Sequence, residues 1–427
     1  MKRLLIFVFI CMLSQCGSNS TQIIVHETQY LYDEIPKSEI LFKDFQTAIK
    51  NMDLEVAESF AQSDYEIEFC KALQMIKSGN TDRAGVVLEN IFAATDDSLL
   101  KNQIFTVLNE VWFTESEWDK VIRIHGNLDT DIQENETLII AQHCSQKASE
   151  KYLFPDKPMN LPLNKSLSGS PVISVKVNGV IKNFWVDTHA FLSVLSSDIA
   201  EECNIQFNKN EVAKAGTATS HKVDFFPAVA DKIEIGELTI ENHPVIIIPK
   251  KNMEFRVFGM RIIKIDGIIG WNAIRNMYLE IDYNKEVLTI RKPFDQKNKE
   301  RNLYYLEGPI VEFKTAEGLS LNFGLDTGAN CTNAFNNILS KIDTVGFKKG
   351  HSFVGGAGGK EKIKTRIIPE IQLILNDISI DYTNLRINPS SNETFLYRDG
   401  LLGIDILNNR SMIIDASNGV CRLTDIY

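Results

Sequence analysis

Asn322-Phe323-Gly324-Leu325-Asp326-Thr327-Gly328-Ala329 runs from an apolar strand straight into an acid, a hydroxyl residue and a glycine. Alone, such an ending reads as an ordinary turn. Asn183-Phe184-Trp185-Val186-Asp187-Thr188-His189-Ala190 has the same form, with its acid 139 positions earlier. Upstream of it, Pro171 to Val177 alternates with strand period, turns at Asn178-Gly179 and returns to Val186. Pro309 to Leu325 repeats that hairpin with Glu317-Gly318 in the turn, so each acid ends a second hairpin arm.

The downstream landmarks recur too. Gly216 in Ala215-Gly216-Thr217-Ala218-Thr219 and Gly355 in Val354-Gly355-Gly356-Ala357-Gly358-Gly359 each lie 29 positions after an acid. Asp266-Gly267-Ile268-Ile269-Gly270 corresponds to Asp399-Gly400-Leu401-Leu402-Gly403, and Asp282 and Asp415 each follow the last glycine by 12 positions. Four landmarks in one order make an internal repeat.

The paired motifs resemble those of retropepsin-like aspartic peptidases, over about Ser168 to Tyr427. Two facing carboxylates cannot both ionise, so they share one proton and offer a base and an acid together. The resemblance implies Asp187 and Asp326 as catalytic residues, with Thr188 and Thr327 hydrogen-bonding across a lobe interface and Gly328 letting its amide approach Asp326. It also implies flaps around Gly216, Thr217, Gly355 and Gly356, with Ile268 to Gly270 and Leu401 to Gly403 behind the acids. Thr217, Thr219, Phe353 and Val354 would line apolar subsites, as would Trp185 and Phe191 unless they sit in the core. His189 stands where the family has glycine, and we expect its side chain to point outward to solvent.

At the other end, Lys2-Arg3 precedes the apolar run Leu4 to Leu13, too short to span a bilayer. Leu13-Ser14-Gln15-Cys16 resembles a bacterial lipoprotein box, which implies lipid attachment at Cys16 and a place in the cell envelope, periplasmic or outer face. The 427 residues carry 45 basic and 56 acidic side chains, a balance of −11 that becomes −13 without residues 1–15 and disfavours nucleic acid.

The expected fold class is multidomain α and β: an N-terminal α-helical domain followed by two all-β retropepsin-like lobes of the acid-protease fold. The expected segments are a signal peptide over 1–16, a tether over 17–36, helices over 37–151, and lobes over 165–292 and 303–427. Lys151 to Ser170, with three prolines, reads as a linker. Within the helical part, Thr81 is placed to cap a helix carrying Ala84, Val87, Leu88, Ile91 and Phe92. The helix starts near Ala84 and Val121, 37 positions apart, resemble a degenerate tetratricopeptide-type array, with a plain bundle as the alternative and a protein partner as one use.

Other motifs carry less. Gly355 to Lys360 lacks the gap and hydroxyl of a phosphate loop, since Glu361 follows the lysine. His143-Cys144, His221, His243 and His351 have no zinc-ligand spacing, and neither metal nor cofactor is expected. Ser196-Ser197-Asp198 reads as a helix cap, and Asp282 and Asp415 as turn residues. Cys70, Cys144, Cys203, Cys331 and Cys421 read as buried thiols, with a Cys331 to Cys421 bridge open as an alternative. The expected function is peptide-bond hydrolysis of a peptide or protein substrate by an aspartic endopeptidase. The alternative is an inactive peptide-binding or scaffold lipoprotein that keeps the fold.

Overall fold

The computed structural model describes residues 22–27, 42–127, 136–216, 222–257, 260–294, 301–342, 346–356, 359–389, 394–407 and 410–425. Cys16, the signal segment, Thr217, Thr219 and His221 lie outside them. For Phe353, Val354, Gly355 and Gly356 only the backbone is described, within the strand Lys348–Gly356.

Both hairpins that carry the acids form as their alternation requires. In Pro171–Val177 the residues Ile173, Val175 and Val177 point inward, and Asn178 and Gly179 both take positive φ, the geometry of a two-residue hairpin turn. That arm pairs with Val180–Val186, and Pro309–Lys314 pairs with Ser320–Leu325.

Among the described residues, two nine-stranded sheets grow from these hairpins with matching order. The first runs Lys151–Leu153, Leu238–Ile248, Ser193–Ser196, Gly267–Ile269, Val180–Val186, Pro171–Val177, Lys222–Ile235, Ala213–Gly216, with Asn164–Lys165 added on Pro171–Val177. The second runs Gln22–Glu27, Ile378–Asn388, Asn333–Phe335, Gly400–Leu402, Ser320–Leu325, Pro309–Lys314, Gly359–Leu375, Lys348–Gly356, with Leu303–Tyr305 on Pro309–Lys314. A third sheet joins them: Tyr278–Asp282 pairs antiparallel with Arg410–Asp415, flanked by Val287–Arg291 with Met159–Pro162 on one side and Val420–Asp425 on the other.

Two segments expected to be connections are therefore strands. Residues 22–27, placed in a tether, form the edge strand of the second sheet, and Gln22 pairs opposite Thr383. Lys151 to Ser170 contributes strands to the first and the shared sheets; Pro162 ends an edge strand, where its missing N–H breaks no ladder.

Among the described residues, seven helices lie between Phe45 and Cys144: Phe45–Lys50, Leu54–Phe60, Asp64–Lys77, Thr81–Ala94, Ser98–Thr114, Trp118–Gly126 and Glu136–Cys144. Each packs on the next. Gly85 permits the closest approach, since a Cβ there would lie 2.3 Å from the Trp112 ring. The expected Thr81 cap is absent: Asn80 holds that position without a side-chain cap bond, and the Thr81 hydroxyl donates instead to Glu115 at 3.0 Å. The Ser196 hydroxyl likewise bonds Asp198 at 2.6 Å and makes no cap bond to the helix Ser197–Glu202. Asp282 and Asp415 do hold turns, accepting from the N–H groups of Lys285 and Asn418 at 2.9 and 3.2 Å. Cys70, Cys144, Cys203 and Cys421 are buried free thiols, so no Cys331 to Cys421 bridge forms. Among the described residues no helix is long and apolar enough to cross a membrane.

Candidate active site

Each acid is set by the strand behind it. Val186 and Ile269 pair in parallel register, as do Leu325 and Leu402, and the N–H groups of Asp187 and Asp326 donate to Ile269 O and Leu402 O, each at 3.0 Å. Gly270 and Gly403 follow immediately, where a Cβ would come within 2.5 Å of Leu192 backbone and 2.6 Å of Cys331 backbone. Their N–H groups donate to Ser193 Oγ and Thr332 Oγ1, both at 3.1 Å. Asn272 and Asp405 in turn accept from Ser193 and Thr332. The landmarks thus meet as two copies of one scaffold.

Thr188 and Thr327 tie the copies together reciprocally. The Thr188 N–H donates to Thr327 Oγ1 and the Thr327 N–H to Thr188 Oγ1, each at 3.0 Å. Their hydroxyls donate onward across the interface, Thr188 to Leu325 O at 2.8 Å and Thr327 to Val186 O at 2.7 Å. Both threonines are buried, as are both acids.

Above this lock the carboxylates face each other. Asp187 Oδ1 accepts from the N–H groups of His189 and Ala190 at 2.9 and 3.2 Å, and Asp326 Oδ1 accepts from Ala329 N–H at 2.9 Å. Burial pushes the Asp187 carboxyl up to about 7, against those two N–H donors and a hydrogen bond with the Asp326 carboxyl, which pull it down. At Gly328 a Cβ would stand 2.6 Å from Asp187 Oδ2, so its bareness makes room for the acid of the other repeat.

His189 departs from expectation. It is 5 % exposed and turned into the interface between the repeats, not outward. Arg398 Nη1 lies 3.0 Å from its Nε2 and can only donate, which makes Nε2 the acceptor and leaves the proton on Nδ1, 3.4 Å from Leu325 O. Burial, reinforced by the Arg398 charge, holds the imidazole well below its usual pKa, so it is neutral. The room comes from two glycines: a Cβ on Gly308 or Gly324 would each lie 3.2 Å from His189 Cε1. The repeats trade bulk here, Trp185 with His189 in the first against Gly324 with Gly328 in the second.

Sequence reasoning missed Arg398 and its neighbours. Its guanidinium also donates to Glu307 O, and Glu307 accepts from Phe395 and Leu396 N–H at 2.9 and 2.8 Å. Glu110, on the helix Ser98–Thr114, joins this cluster; burial and the nearby Glu307 push its carboxyl up to about 8. One signal was available, since the repeat places arginine before Asp399-Gly400 where Ile265 stands before Asp266-Gly267. Phe191 packs against Phe113 and Trp185 is buried, both in the core shared with the helices. His143 pairs with Glu211 at 3.1 Å, and His243 is buried with Nε2 2.8 Å from Ser193 Oγ.

Residues 173–265 match the family described as "gag-polyprotein putative aspartyl protease". Among solved structures, a crystal structure of a retropepsin-like aspartic protease from Rickettsia conorii is similar at 17% identity; the match covers 32% of this chain and 99% of that one, with a TM-score of 0.24. No curated protein matches the chain. The family match includes Asp187 and ends before Asp326. The likeness to an aspartyl protease family is therefore confined to part of the first repeat, behind a helical N-terminal region and within a β-rich remainder.

Proposed function

We propose that this chain is an aspartic endopeptidase of two-lobed acid-protease form, with Asp187 and Asp326 as its catalytic pair. One observation carries the reading: two buried acids end equivalent strands of two equivalent sheets and are locked face to face by reciprocal threonine bonds. A water between them would lose a proton to the ionised carboxylate as its oxygen attacks the scissile carbonyl. The protonated carboxyl would then donate toward the leaving nitrogen as the C–N bond breaks.

In this reading Gly216 and Thr217, with Gly355 and Gly356, belong to two flaps closing over an extended peptide. The helices form a degenerate tetratricopeptide-type array able to hold a protein partner. Cys16 carries the lipid that keeps the enzyme at the bacterial cell envelope.

The Asp187 value gives the pH dependence its sign. Below about 7 the pair retains its shared proton; above it both carboxylates are charged and the general acid is lost. Cleavage of mixed unfolded peptides should therefore fall as pH rises through about 7, and Asp326→Asn should abolish it. Equal cleavage by the Asn variant would refute the assignment. A peptide-binding scaffold is the second reading, favoured by His189 filling the space that Gly308 and Gly324 leave beside the pair. Peptide binding without cleavage at any pH from acid to neutral would establish it.

A further inference from the structure

Asp187 and Asp326 are both 0% exposed, and the outer oxygen of each is sealed from solvent. A substrate carbonyl has to reach those oxygens, so something must leave first. Side-chain alternation along Val180–Val186 shows what. Phe184 and Val186 enter the core between the sheets, whereas Trp185 shares a continuous core with the helices, as do Ala190, Leu192 and Ile268. These are the residues beside and immediately after the first acid. The helices thus lie on the wall against which an extended peptide would run.

They hold both repeats at once. Phe113 packs on Phe191 with ring centroids 4.7 Å apart, and Phe69 packs on Phe395 at 6.1 Å. Glu115 pairs with Arg275 at 2.9 Å and Lys77 with Glu312 at 2.8 Å. Tyr397 N–H donates to Lys50 O at 2.7 Å, and Asn322 Nδ2 to Asn51 O at 3.0 Å. The helix Glu136–Cys144 packs on Ala213–Gly216 and Lys222–Ile235, the arms flanking the expected first flap.

We propose that the helical region is a resident plug of the cleft, and that a peptide gains the carboxylate pair only when the helices swing off the first sheet. The shared sheet through Tyr278–Asp282 and Arg410–Asp415 joins the repeats without any helix, so the pair survives the opening. The plug stays tethered at both ends, by Gln22–Glu27 on the second sheet and by Lys151–Leu153 on the first. The uncovered wall is apolar, so the cleft takes apolar side chains. The inference rests on the peptidase reading for its consequence, but its test does not.

Two full-length variants open the plug by different routes: Lys77→Glu with Arg275→Glu, which reverses two latches and leaves the cores intact, and Phe113→Ala, which removes the ring on Phe191. The probe is an apolar hexapeptide with a hydroxyethylene in place of its central amide, followed by fluorescence anisotropy alongside hydrogen exchange. Both variants should bind it more than tenfold tighter than the unaltered chain, with faster exchange in the helices and retained protection in Tyr278–Asp282. If the unaltered chain binds equally well with its helices protected, or the variants release their helices and bind no better, the plug is overturned. Tight binding by the opened chains with mixed peptides left uncut upholds the plug and removes the peptidase reading.

Discussion

Replacing Thr188 with valine removes a hydroxyl that makes two of the four bonds locking the repeats: its donation to Leu325 O at 2.8 Å and its acceptance from Thr327 N–H at 3.0 Å. The Leu325 carbonyl keeps the His189 ring N–H, 3.4 Å away, while the Thr327 N–H is left buried without this acceptor. One orphaned buried donor costs about 1–3 kcal/mol. Thr327→Val removes the other two bonds and orphans the Thr188 N–H, at a similar cost of about 1–3 kcal/mol. The two sets share no bond, yet they span the same loops, so a gap opened by the first loss weakens the second set. The double variant should cost less than the sum, with a coupling of about 0.5 kcal/mol or more. Urea unfolding of the full chain reads this as a lowered midpoint at unchanged slope, with Thr188→Ser near the parent. Single valine variants within about 0.5 kcal/mol of the parent would show that the lock contributes nothing and would remove the argument for a rigid carboxylate pair.

Gly328→Ala should displace the Asp187 carboxylate, since the added Cβ would stand 2.6 Å from Oδ2. The expected loss is about 1–3 kcal/mol by thermal or urea unfolding, and unchanged stability would contradict the close approach. Glu110→Gln should flatten the dependence of stability on pH. Glu110 is protonated in the fold up to about 8 while the unfolded chain ionises it above its ordinary 4.5, so stability falls as pH rises across that window. With Glu307 and Arg398 facing the same carboxyl, the glutamine chain should be more stable than the parent at pH 8 by about 4 kcal/mol and close to it below pH 4.5. Parallel pH profiles for the two chains would refute the burial of an ionisable Glu110.

What could be read in the sequence was whatever the repeat printed twice. Asp187, Thr188, Asp326 and Thr327 each had a counterpart at one spacing, and the hairpins ahead of them alternate cleanly. His189 was misjudged because its lodging depends on two absences, the side chains missing at Gly308 and Gly324, on the other repeat. Arg398 broke the repeat where Ile265 stands, but its meeting with Glu307 and Glu110 comes from tertiary packing that no spacing announces. The helical region was legible from its period, but nothing in a helix's own pattern says which face of another domain it will cover.

The edge strand Gln22–Glu27 has a consequence for the order of assembly. Lys151–Leu153 completes the first sheet from just ahead of its own repeat, whereas Gln22 and its partner Thr383 are 361 residues apart. During synthesis the first sheet and the helices have all their strands and turns before Ile378–Asn388 exists. Gln22–Glu27, made first, has no partner strand until Ile378–Asn388 is made, and that long-range closure is the slow, aggregation-exposed step of folding. A chaperone acting on this chain would find its hydrophobic edge there, late and on the second repeat.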